Sequence, residues 1–364
     1  MNNKNYLPLK VYGSEISYFT GKLENYLKYK EIPYERIAAS ARMGAKLKKN
    51  AGVVQIPTVN LADGRWMSDS TPIIEWFEQE FPETSIIPTD PEQAFFCRLL
   101  EDYSDEWLWR PALHYRWHYK QDAFLLGRKI ASELLFDIPL PQVVMAFLFR
   151  RRQRVGFTVG DGIHKGNIKG VEATFLNVLK QFQAIFEKRP YLLGDKPSLA
   201  DIAFSGPFFK HFGVDPTASL IIRETAPAVY EWIARLWNAK HSKLQDQEWL
   251  TGIPEDWGPL LDDIGAAYVP YLCANADAFN KGKKRFSATI DNVEYRKART
   301  SRYRVGCLER LQELFNELPE DVKPRVKARL EKHKIWQPLW QHKEFNHKLD
   351  KQTFGKGSNM FGMG

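Results

Sequence analysis

SEISYFTGKLENYL, residues 14–27, joins an apolar run, Leu9-Lys10-Val11-Tyr12, to a helical pattern with Leu23 and Leu27 on one stripe. Between the two lie Ser14, Ser17, Tyr18 and Thr20, hydroxylated residues at a strand-to-helix turn. Serine and threonine are favoured helix caps, so a plain N-cap accounts for Ser17 taken alone. Lys10–Tyr12 reads as a short strand, residues 20–30 as a helix and Tyr34–Ala38 as a second strand. A further helix ends at Lys46–Asn50, stopped by Gly52. Val53–Leu61 and Arg65–Met67 flank Asp63-Gly64, a dipeptide that favours a tight hairpin turn. Thr71–Phe81 then repeats Ile73, Ile74 and Phe77 at helical spacing. The order is βαβ, hairpin, helix: a mixed four-stranded sheet with helices on its faces.

Residues 1–83 are therefore read as one domain and the proline-bearing stretch 84–91 as a linker. Residues 92–250 follow a helical pattern, with Ile138–Pro141 interrupting a helix or joining two. Residues 251–345 form an additional region. In it Phe286–Ile290, Asp291-Asn292 and Val293–Tyr295 read as a small hairpin, and Leu308, Leu311, Leu314 and Phe315 mark a helix. A second helix centres on Val322, Val326 and Leu330. The tail, 346–364, ends in a Gly- and Met-rich run and is expected to be disordered.

The chain has 364 residues and a formal net charge of +8, enough length for two or three cores. Its basic clusters, Lys281–Arg285, Arg296–Arg304 and Arg150–Arg154, are interspersed with acids elsewhere and read as solvated faces, so nucleic acid is not an expected partner. Three well-separated cysteines, Cys97, Cys273 and Cys307, form no CxxC pair and suit a reducing compartment. MNNKNYLPLK lacks the apolar segment of a signal peptide, and no run is long enough to span a bilayer. A cytoplasmic protein with no membrane partner is expected. His114 and His118 share a helical face, but no intervening glutamate or third ligand accompanies them, and no metal is expected. VGDGIHKG, 159–166, lacks the Gly-Lys-Ser/Thr of a phosphate loop and reads as a plain loop.

Three motifs converge in the first domain: Tyr12-Gly-Ser-x-x-Ser17, Gln55-Ile-Pro-x-Val59 and Ser68-Asp-Ser-x-x-Ile73. With YLLGDKPSLADIA, 191–203, in the helical region, they resemble the glutathione S-transferase family, over roughly residues 8–245. The resemblance implies an α/β thioredoxin-like N-terminal domain and an all-α C-terminal domain, here followed by a mostly helical extension. It implies glutathione as co-substrate, a hydrophobic or aromatic electrophile as second substrate, and a homodimer. Ser17 takes the position of the residue that activates the thiol, with Tyr18 and Thr20 as alternatives. Gln55, Ile56, a cis Pro57, Asp69 and Ser70 would hold the tripeptide. The physics is plain. A free thiol ionises near pH 8.5, while a helix N-terminus and a donated hydroxyl both favour the anion. The other reading is a non-catalytic interaction module on the same scaffold. Ser198 and Asp201 form a capping box, a structural feature.

Overall fold

The computed structural model describes residues 4–349 and 353–354. Four strands, β1 (Leu9–Gly13), β2 (Tyr34–Ala38), β3 (Thr58–Asn60) and β4 (Trp66–Ser68), make a sheet in the order β2-β1-β3-β4. β2 runs parallel to β1, whereas β3 and β4 run antiparallel to their neighbours. The parallel pair is joined through α1 (Tyr18–Tyr29), as a crossover requires. α2 (Met43–Ala51) stops at Gly52, whose φ of 78° is a left-handed conformation that glycine adopts without penalty. α3 (Ser70–Glu80) follows β4. Leu23, Tyr26 and Leu27 of α1 meet Ile73, Ile74 and Phe77 of α3 in one core.

The helical region comprises α4 (Pro91–Glu106), α5 (Trp109–His118), α6 (Lys120–Leu134), α7 (Gln142–Gln153), α8 (Ile168–Phe186), α9 (Leu199–Pro207), α10 (Pro216–Thr225), α11 (Pro227–Asn238) and the one-turn α12 (His241–Leu244). The 138–141 interruption joins two helices, α6 and α7, into an antiparallel hairpin. Asp201 opens α9 with both oxygens engaged. Oδ2 accepts from Ser198 N at 3.0 Å; Oδ1 accepts from Leu192 N at 2.9 Å and Trp232 Nε1 at 3.2 Å.

The additional region holds α13 (Gly258–Asp263), α14 (Val269–Asn280), the hairpin β5 (Arg285–Ile290) and β6 (Val293–Arg299), α15 (Arg302–Asn316), α16 (Lys323–Lys332) and α17 (Trp336–Leu339). Asp291 and Asn292 turn the hairpin with φ of 45° and 62°, the left-handed pair that a two-residue turn demands. This region shares the core of the rest. Trp257 is buried with Nε1 donating to Leu192 O at 3.0 Å. Arg189 pairs bidentately with Asp256 at 2.7 Å, and Tyr103 on α4 bonds Asp263 at 3.0 Å.

Two expectations change here. Arg304, read as part of a solvated basic face, is buried, with Nε 3.0 Å from Glu106 and Nη1 2.7 Å from Asp161. Asp161, in the stretch read as a plain loop, is buried between Arg304 and Arg110, the latter at 3.0 Å. Two guanidiniums on one carboxylate, with Glu106 completing the charge balance, allow all four groups to lose their water. The tail expected to be disordered is described only in part. His347 is buried, with Nε2 2.8 Å from Glu309, and the Phe354 ring lies against Trp76. Residues 350–352 and 355–364 lie outside the described residues.

Candidate functional site

Register places the three sequence motifs together. Tyr12 of β1 pairs with Thr58 of β3, and Thr58 pairs with Ser68 of β4, one row across the sheet. The chain beyond Tyr12, before Thr58 and beyond Ser68 therefore emerges at the same edge. Those three segments carry Ser17, Gln55-Ile56-Pro57 and Asp69-Ser70.

Ser17 is the N-cap of α1, half-buried, its Oγ accepting from Thr20 N at a long 3.4 Å. A bond that long holds the hydroxyl weakly and leaves its proton free to donate. The two alternatives are placed differently. Tyr18 is 1 % exposed and its hydroxyl donates to Ser104 O at 2.6 Å, against α4. Thr20 is fully enclosed, and Oγ1 has no partner among the described residues. Ser14 is committed as well, donating to Glu133 Oε2 at 2.8 Å. Of the four hydroxyls, Ser17 alone combines partial exposure with a weak intramolecular bond.

A cavity of about 710 Å3 opens at this edge, within the range that holds small ligands. Gln55, Ile56, Pro57, Asp69 and Ser70 all line it; Phe19 of α1 reaches it, while Ser17 is not among the lining residues. The Ile56–Pro57 peptide bond is cis, as the resemblance implied. Asp69 caps α3 with a φ of 76°, a left-handed conformation rare outside glycine and asparagine, and accepts from Thr71 N at 3.4 Å. Ser70 begins the helix, where unpaired backbone N–H groups favour an anion. Lys48 and Arg152 bring cations to the lining.

Several lining groups come from elements that no sequence motif marked. Asp105 and Glu106 stand at the end of α4, and Trp109 opens α5 with its ring stacked on Phe19 at 5.5 Å. Phe149 projects from α7, and Phe157 lies just beyond that helix. Tyr303 of α15 lines the cavity with Asp69, so the additional region supplies part of the wall. Burial holds the Asp69 carboxyl above the usual aspartate range, and the Tyr303 hydroxyl draws it partway back. Asp105 shares Lys22 with Glu101, whose own carboxylate also has Arg98. Burial, helped by the neighbouring Glu101 and Glu106, outweighs Lys22 and pushes Asp105 up to about 8. Asp105 Oδ1 is buried without a partner among the described residues. The result is a pocket with an acidic end at α3–α4 and an aromatic wall from α1, α5 and α7. It suits a ligand with one ammonium, a carboxylate and an adjoining apolar group.

His114 on α5 is buried with Nε2 2.8 Å from Glu172 and its ring stacked on His118 at 4.6 Å. Among the described residues no group of three or more His, Cys, Asp or Glu is arranged to hold a metal ion.

A family model described as the glutathione S-transferase N-terminal domain matches residues 11–85, and one described as the C-terminal domain matches residues 153–239. A beta-etherase structure from Sphingobium sp. strain SYK-6 is 21% identical, with 63% of this chain and 95% of that chain covered at a TM-score of 0.43. A glutathione S-transferase from Rhodospirillum rubrum F11 is 19% identical over 68% of this chain and 95% of its own, at 0.45. One from Methylobacterium radiotolerans JCM 2831, in complex with glutathione sulfonate, is 18% identical over 68% and 97%, at 0.39. No curated protein sequence matches the chain.

Proposed function

The chain belongs to the glutathione S-transferase family, and from that premise we propose that it binds glutathione at the β1–β3–β4 edge and activates it as a thiolate. The observation that carries the reading is the Tyr12–Thr58–Ser68 row, which brings Gln55, Ile56, Pro57, Asp69 and Ser70 around one cavity. In this reading the backbone of Ile56 pairs with the extended tripeptide and Gln55 flanks it. Ser70 and the first turn of α3 take the γ-glutamyl carboxylate, and Asp69 takes the ammonium.

The thiol loses its proton to solvent, and the Ser17 hydroxyl donates to the sulfur from the first turn of α1. Both the hydroxyl and the helix terminus favour the anion, and each tenfold gain in acidity corresponds to about 1.4 kcal/mol. The thiolate attacks an electrophilic carbon held against Phe19, Trp109 and Phe149. A sulfur–carbon bond forms, and the leaving group departs with its electron pair. Positioning and charge stabilisation supply the acceleration; no covalent enzyme intermediate is involved.

A second reading, a glutathione-binding or interaction module without turnover, is favoured by one observation: Ser17 stands outside the cavity lining. A Ser17→Ala variant separates the two. Under the catalytic reading it still binds glutathione by calorimetry, its conjugation rate falls by about one to two orders of magnitude, and the bound thiol's ultraviolet titration moves to higher pH. Unchanged rate and titration remove Ser17 from the mechanism, and a wild-type chain that binds no glutathione leaves only the module.

A further inference from the structure

The α6–α7 hairpin turns an apolar face to solvent. On α7, Val143, Val144, Phe147 and Leu148 form one stripe, and all four are exposed, Val143 to 70 % and Phe147 to 55 %. Phe136 and Leu140, in the connection from α6, extend the stripe and are exposed as well. The inward side of α7 is modest: Met145 and Ala146 are buried, and Phe149 reaches the cavity. A helix that directs its larger apolar residues outward reverses the usual pattern of a globular surface.

The charges along α7 have one sign. One turn beyond Phe147 and Leu148, the stripe continues into Arg151 and Arg152, with Arg150 and Arg154 alongside. Residues 142–154 hold four arginines and no acid. Arg150 stands 5.2 Å from the Phe124 ring of α6 and Arg128 stands 5.9 Å from it, so both helices contribute to the cationic end. The two acids at the hairpin's far end are already engaged. Glu133 pairs with Arg36 at 3.0 Å and accepts from Ser14, and Asp137 accepts from Arg42 N at 3.0 Å.

We propose that this hairpin is a peripheral docking surface for an anionic phospholipid bilayer. Val143, Val144, Phe147 and Leu148 enter the headgroup–acyl boundary while the arginines extend to lipid phosphates. No spanning segment is needed, and no helix among the described residues is long and apolar enough to be one. A second copy fits this face less well. Self-pairing through the stripe gives the arginines no free acid to meet, because the hairpin's acids already have partners. Leu134, Leu135 and Phe149 of the same hairpin wall the 710 Å3 cavity, so docking holds the cavity close to the membrane. The consequence that the electrophile arrives dissolved in lipid rests on the proposed function; the docking does not.

The test is co-sedimentation of the full chain with vesicles of phosphatidylcholine alone or with about 30 % phosphatidylglycerol. The expected result is recovery with the anionic vesicles, at least tenfold weaker association with phosphatidylcholine alone, and release in about 0.5 M salt. Val143→Glu/Phe147→Glu and Arg151→Glu/Arg154→Glu change only exposed side chains. Each should lose at least tenfold in vesicle affinity while keeping the melting temperature and the vesicle-free conjugation of a water-soluble electrophile. Absence of pelleting with anionic vesicles overturns the proposal, as does pelleting that neither variant weakens. A solution dimer that Val143→Glu/Phe147→Glu splits, without vesicle binding, assigns the face to a second copy and overturns it too. Because Ser17→Ala reads the chemistry without lipid, failure of one reading is distinguishable from failure of the other.

Discussion

Tyr303 of helix α15, in the additional region, lines the cavity with Asp69, the cap of α3, and its hydroxyl favours the ionised form of that carboxyl. Asp69 is the group proposed to take the ammonium of glutathione, and it does so only when ionised. Burial raises its pKa and the Tyr303 hydroxyl lowers it. Tyr303→Phe removes the lowering contribution without touching the peptide. Glutathione should then bind about tenfold more weakly near neutral pH, roughly 1.4 kcal/mol. As pH falls, affinity should disappear at a higher pH than in the wild type. Calorimetric titration at several pH values checks both. Affinity profiles that superimpose would show that the additional region has no part in ligand binding.

Thr20 and Tyr18 yield the opposite expectation. Thr20 Oγ1 is buried with no partner among the described residues, a desolvated hydroxyl that destabilises the fold. Thr20→Val keeps the shape and removes the polar atom, so stability should rise by about 1 kcal/mol in urea unfolding, with conjugation unchanged. Tyr18→Phe breaks the 2.6 Å bond to Ser104 O and should cost about 1–3 kcal/mol, again with no movement of the bound thiol's titration. A slowed reaction in either variant would reassign the activating hydroxyl.

What the sequence disclosed was local. Tyr34–Ala38 alternates as a strand should, Gly52 supplies a left-handed stop, and Asp291-Asn292 supplies two residues that tolerate positive φ. That Gln55-Ile56-Pro57 and Asp69-Ser70 meet at one edge was legible for the same reason, since each is a short segment next to its own strand or helix. Asp105, Phe149 and Tyr303 were not. They reach the cavity only because α4, α7 and α15 pack around it, and in sequence each resembles an ordinary helical position. Arg304 misled most. It closes a run of basic residues, and its burial depends on Asp161 and Glu106, each far away along the chain. A charge's partner is a tertiary fact, invisible to composition.

Asp102 gives the chain a specific pH dependence. It accepts from the Tyr268 hydroxyl at 2.6 Å, and burial pushes its carboxyl up to about 7, against about 3.9 for a free aspartate. Between those values the folded protein holds a proton that the unfolded chain has released. The associated stability is complete below about pH 4, declines as pH rises, and is gone above about pH 7. Asp102→Asn cannot titrate. The wild-type stability minus that of the variant should therefore fall steeply from pH 5 to pH 7 and flatten from pH 7 to pH 8, read by urea unfolding at each pH. A difference that rises over that interval would reverse the sign of the assignment.

The Arg304 cluster shows how firmly the additional region is bound to the helical core. Arg304, Asp161, Glu106 and Arg110 are each at most 2 % exposed, so the cluster has no water to fall back on. Arg304→Met leaves Asp161 with Arg110 but strands Glu106, a carboxyl that burial already raises above its usual value. Removing one member of a buried pair costs about 3–5 kcal/mol, and urea unfolding should register a loss of that size. Adding Glu106→Gln neutralises the stranded group, so the double variant should recover part of the loss rather than add to it. Hydrogen exchange supplies the spatial readout. Protection should fall together in α15 and at the end of α4, because the guanidinium holds both. Loss confined to α15 would mean that α4 keeps its place without the additional region.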